Sequence, residues 1–146
     1  MNQIKLVFQR GGELIADLND RAPETVKRIL EILPLETTVI HTRWCGREIS
    51  FGISTKTMPP QENTSTMVSK FDIAYWRDWE SNKPLEEAPG EEAMAIYYGP
   101  ELLSYHNGLI RVNIIGRIRM EQEELLETIG MRIWRQGIEK IKVERC

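Results

Sequence analysis

About seven stretches between Ile4 and Arg119 alternate apolar and polar residues with a period of two, and turn-forming residues separate most of them. Strands spaced this closely leave little room for the helical crossovers that parallel sheets need, so they are expected to pair antiparallel. Ile4, Leu6 and Phe8 alternate with Lys5 and Gln9. Gln9 to Glu13 carries two glycines, and Leu14, Ala16 and Leu18 alternate again, which predicts an N-terminal hairpin. Pro23 suits the first position of a helix, and Val26, Ile29, Leu30 and Leu33 form one apolar stripe up to the stop at Pro34.

The segment Thr37 to Ile53 is the most informative. Thr37–Trp44 is β-branched and aromatic, Cys45-Gly46 fits a two-residue loop, and Arg47–Ile53 returns. Folding at that loop pairs Arg43 with Glu48, Thr42 with Ile49, His41 with Ser50 and Ile40 with Phe51. One face then carries Ile40, Thr42, Ile49 and Phe51, and the other His41, Arg43, Glu48 and Ser50. A one-residue slip would exchange the faces of one strand.

Two long polar stretches follow, Ser54–Thr66 and Asp78–Glu92, on either side of a strand at Asp72–Trp76. Loops of this length inside a compact domain are often functional. Strands resume at Ala93–Tyr98 and Leu109–Arg119. A helix is predicted over Gln122–Gln136, with acids at its start and arginines at its end to match the helix dipole. Ile141 and Val143 suit a last short strand. The expected fold is mainly β, a closed antiparallel barrel with two peripheral helices, because closure removes exposed strand edges. Residues 1–119 are read as the barrel domain and 120–146 as a C-terminal helical extension that packs on the barrel or on a second copy of the chain.

Four motifs in order carry a resemblance. They are Asp20-Arg21-Ala22-Pro23 leading to Leu33-Pro34-Leu35, His41-Thr42-Arg43-Trp44-Cys45-Gly46-Arg47-Glu48, Pro59-Pro60-Gln61-Glu62-Asn63-Thr64, and Ile96-Tyr97-Tyr98-Gly99. From about Ile4 to Arg119 the chain resembles a prokaryotic family of unknown function with a cyclophilin-like β-barrel fold. The resemblance implies the fold and no reaction. The Phe-His-Arg and Gln-Gly-Gly-Asp motifs of cyclophilin-type prolyl isomerases do not occur in the sequence, which counts against that activity.

Composition narrows the function classes. A net charge of -3 argues against nonspecific nucleic-acid binding. No apolar run approaches the ~20 residues of a membrane helix, and the N-terminus has no signal-peptide core, so a cytoplasmic location is expected. Cys45 and Cys146 are read as unpaired thiols. Two cysteines and two histidines are too few and wrongly spaced for a zinc site, so neither a metal nor a cofactor is expected.

The candidate catalytic residues are His41, Arg43 and Glu62. Arginine offers a planar donor fork to a carboxylate or carbonyl, histidine titrates near neutral pH, and the loop stiffened by Pro59 and Pro60 is expected to bring Glu62 over their face. Trp44, Glu48, Asn63, Trp76 and Tyr97 are the candidate ligand-binding residues. On an open sheet face Arg43 and Glu48 would be only a surface ion pair worth about 0.2–1 kcal/mol. The expected function is binding or transformation of a small anionic or amide-containing metabolite in a groove near these residues, with a binding module lacking turnover as the alternative.

Overall fold

The computed structural model describes residues 2–79, 91–105 and 108–146, with Tyr105 described by its backbone alone. Most of the second long loop, and His106, lie outside the described residues. In chain order the elements are β1 (Gln3–Phe8), β2 (Glu13–Leu18), α1 (Pro23–Glu31), β3 (Leu35–His41), β4 (Glu48–Gly52), β5 (Thr64–Ser65) and β6 (Met67–Val68). They continue with β7 (Asp72–Arg77), β8 (Glu92–Tyr97), β9 (Glu101–Leu102), β10 (Ser104–Tyr105), β11 (Gly108–Leu109), β12 (Val112–Ile118), α2 (Glu123–Gln136) and β13 (Glu139–Arg145).

Eight strands close a barrel in the order β2-β1-β13-β3-β4-β8-β7-β12, and β12 pairs back onto β2. Every pairing is antiparallel, as the short strand spacing predicts. Alternation decides which side chains face in. Ile4 and Leu6, Val39, Ile49 and Phe51, Ile73 and Tyr75, and Met94 and Ile96 are buried in one core. Both helices join that core, α1 through Val26, Ile29 and Leu30 and α2 through Leu126, Ile129 and Ile133. Each large aliphatic side chain so buried contributes about 1.5–3 kcal/mol of transfer free energy.

The C-terminal segment differs from the reading of 120–146 as an extension outside the barrel. β13 is a barrel stave, with Leu6 opposite Val143 on one flank and Val39 opposite Glu139 on the other. The alternation of Ile141 and Val143 with Lys140 and Lys142 marks a strand that belongs between β1 and β3. Helix α2 packs on the barrel.

A smaller apolar layer lies on the opposite face of β7 and β8. Ala74, Ala95 and Tyr97 pack there with Cys45, Val68, Leu103 and Val112. The two-residue pairs β6–β9 and β10–β11 supply part of this cover. Alternation along β8 sends Ala95 and Tyr97 to this layer and Met94, Ile96 and Tyr98 to the main core.

Candidate functional site

The β3–β4 connection is longer than a two-residue loop. Arg43–Cys45 form a single 3-10 turn, and Gly46 follows with φ of 78°. The Thr42 amide donates to the Glu48 carbonyl at 2.9 Å, and the Cys45 and Gly46 amides donate to Thr42 and Arg43 carbonyls. Because the turn takes up these residues, the register differs by one from the expected pairing. His41 stands opposite Ile49, and Ile40 opposite Ser50.

That slip divides the expected constellation. Glu48 and Ser50 share a side with Thr42, whose hydroxyl lies 2.5 Å from that of Ser50. His41 keeps company with Arg43 but not with Glu48. Glu62 is placed elsewhere altogether: its carboxylate accepts from the amide and hydroxyl of Thr25 at 2.6 and 2.9 Å, in the first turn of α1. Two residues of the expected triad thus come together and the third caps a helix start, where negative charge is favoured.

His41 and Arg43 line a hollow of about 280 Å³ with Gly46 and Arg47, Tyr98, and Met131 and Trp134 of α2. The His41 Nε2 atom lies 2.5 Å from the Tyr98 hydroxyl. The imidazole also meets the Trp134 ring edge-on at 4.7 Å between centroids. The Arg43 guanidinium sits 4.2 Å over the Trp134 ring and donates from Nη2 to the Trp134 carbonyl at 2.9 Å. Among the described residues no carboxylate pairs with Arg43. Arg47 is held differently: Nε donates to Glu101 at 2.7 Å and Nη2 to the Pro100 carbonyl at 2.8 Å.

Burial holds the His41 pKa below its ordinary value, and the nearby Arg43 charge adds to the effect. His41 is therefore neutral at pH 7, with one ring nitrogen able to accept a proton. Burial likewise raises the Tyr98 phenol. The His41–Tyr98 bond joins two uncharged groups, and the imidazole tautomer decides which of them donates.

Tyr98 is seated by Gly130 of α2: a Cβ at that position would stand 2.5 Å from the tyrosine ring. Gly130→Ala gains about 1 kcal/mol of helix propensity but overpacks the Tyr98 ring, so a net loss of about 1–2 kcal/mol is expected in a denaturant melt. Sequence reasoning missed Tyr98, Arg47, Met131 and Trp134 as neighbours of His41. Trp134, directly after Ile133 of the apolar stripe, was the available signal.

The expected ligand-binding residues scatter. Trp44 is 58% exposed beside the hollow's turn. Glu48 and Tyr97 are buried and directly opposite each other, and a hydrogen bond joins their side chains. Burial pushes the Glu48 carboxyl up to about 7. Asn63 takes a left-handed φ of 47° and donates to the Ile114 carbonyl, a turn role. Trp76 packs on the outer apolar layer. Asn113 is buried and donates to the Thr25 hydroxyl and the Pro60 carbonyl. Burial pushes the Cys45 thiol up to about 12, so it is a poor nucleophile at neutral pH. Among the described residues no three His, Cys, Asp or Glu side chains gather as metal ligands, and no helix is long and apolar enough to cross a membrane.

A larger hollow of about 1230 Å³ lies between α1, β2 and β12. Several of its charges are already engaged: Arg119 with Asp17, Arg117 with Asp72, and Arg145 with the Leu30 carbonyl. The smaller hollow combines aromatic walls, a titratable ring and a guanidinium that no carboxylate among the described residues pairs with.

A family model described as "Protein of unknown function (DUF3830)" matches residues 7–144. The match includes most of the C-terminal segment that the sequence motifs leave out. No curated protein matches the chain. Among solved structures, McbB in complex with tryptophan is similar with a TM-score of 0.73 at 17% identity. That match covers 97% of this chain and 44% of McbB, so the chain spans less than half the length of that neighbour. The hypothetical protein AF2241 from Archaeoglobus fulgidus is similar with a TM-score of 0.59 at 28% identity, covering 99% of this chain and 95% of its own.

Proposed function

From the premise that the chain belongs to DUF3830, a family of unknown function, we propose that it binds a small anionic or amide-containing metabolite in the hollow beside His41 and Arg43. The observation that carries this reading is Arg43, whose guanidinium rests on Trp134 with no carboxylate among the described residues to neutralise it. A planar fork held by stacking and one carbonyl keeps further donors for a carboxylate or carbonyl oxygen. The volume, about 280 Å³, is at the small end for ligand pockets, which suits a metabolite of one ring or less. A fold neighbour crystallised with tryptophan supports a small-molecule role for this kind of barrel.

Binding without turnover is the reading favoured here, since Glu62 is engaged at α1 and does not complete a triad. Turnover as a second reading rests on the His41–Tyr98 hydrogen bond, which offers a neutral base with a proton relay. A thermal-shift screen of small carboxylates and amides tests the proposal. A hit is expected, and Arg43→Ala is expected to weaken it about 10- to 100-fold, the worth of a hydrogen bond to a charged group. No hit, or hits indifferent to Arg43→Ala, overturns it.

A further inference from the structure

Resting on that ligand reading, we propose that Glu101 sets the ligand's charge: by neutralising Arg47 it leaves Arg43 as the hollow's unpaired cation and selects a monoanion over a dianion. Two guanidiniums line the hollow, and taken alone they would suit a dianion such as a phosphate or dicarboxylate. Their surroundings are not equivalent. Arg47 gives Glu101 both its backbone amide, at 3.1 Å, and its Nε, at 2.7 Å. Its Nη2 donates to the Pro100 carbonyl. Among the described residues Arg43 meets an aromatic face and a neutral carbonyl, and no carboxylate.

The third titratable group of the wall, His41, is uncharged at neutral pH for the reasons given above. Met131 and Trp134, contributed by α2, carry no charge. Among the described residues the balance at the hollow is therefore one positive charge. Its walls, the rings of His41, Tyr98 and Trp134, favour a flat apolar remainder.

The turn between β3 and β4 is shaped for this pairing. A Cβ on Gly46 would stand 2.3 Å from the Glu101 carboxyl carbon, so the absence of a side chain there gives the carboxylate its seat. The positive φ of Gly46 aims the Arg47 amide at the same carboxylate. Glu101 is thus a specificity-determining residue that acts through Arg47.

Calorimetric titration with benzoate and phthalate, a flat monoanion and a flat dianion, tests this. The parent protein is expected to prefer benzoate. Glu101→Gln frees the Arg47 charge and is expected to improve phthalate relative to benzoate about fivefold, the factor carried by one opposite charge about 4 Å away in water. Arg47→Gln reads the same balance from the other side. It uncovers the Glu101 charge and is expected to weaken benzoate about fivefold and phthalate more. Equal affinities in the parent, or a ratio that neither variant changes, overturns the role of Glu101. If the parent binds neither anion, the charge selection by Glu101 fails, and the ligand reading fails with it only when the screen of carboxylates and amides is also without a hit.

Discussion

Glu92→Ala is expected to melt about 10–15 °C below the parent chain, the consequence of losing about 3–5 kcal/mol when three buried hydrogen-bond donors lose their acceptor in a domain of this size. Glu92 is 3% exposed, and its carboxylate accepts from the Thr55 amide at 3.0 Å, the Thr55 hydroxyl at 2.6 Å and the Tyr75 hydroxyl at 2.5 Å. Opposite it in the β7–β8 ladder stands Arg77, 2% exposed. Truncation strands three donors in a buried place. Glu92→Gln, which keeps an acceptor oxygen but no charge, is expected to fall between the two. Differential scanning calorimetry checks the order; a Glu92→Ala midpoint within a few degrees of the parent would show that the network is dispensable.

The second large effect is a pH dependence. Burial raises the Glu48 carboxyl to about 7, although Tyr97 and Thr42 donate to it. The unfolded chain releases that proton near 4.5. Between these values the folded state holds a proton that the unfolded state has lost, so raising the pH favours unfolding. The stability present below pH 4.5 therefore declines towards pH 7, by about 3 kcal/mol if the whole shift is realised. Glu48→Gln keeps the shape and an acceptor for Tyr97 without the titration. Urea melts at pH 5 and pH 8 are expected to converge in this variant and to differ in the parent, and an equal difference in both would remove Glu48 as the cause.

The fold is legible because it depends on period-two alternation, which survives without knowledge of partners. Ile49 and Phe51 against Glu48 and Ser50 are sorted correctly. The site is less legible because it depends on register and on distant elements. Cys45-Gly46 looks like the whole reversal, yet hydrogen bonds at Thr42, Cys45 and Gly46 enlarge it into a 3-10 turn and shift His41 to the other side. Nothing local indicates that Glu62 reaches Thr25, 37 residues away, or that Trp134 crosses 91 residues to hold Arg43. The two-residue strands β5, β6, β9, β10 and β11 are too short to show any period.

β13 is the last stave in chain order, yet it lies between two of the earliest, β1 and β3. During translation, one flank of each early strand has to wait without its native partner until residues 139–145 clear the ribosomal exit tunnel. Those waiting flanks are open templates for pairing with another nascent chain. The barrel's exposure to misassembly during synthesis is therefore set by β13, and a chain that stops short of residue 139 holds every site residue but leaves the barrel open between β1 and β3.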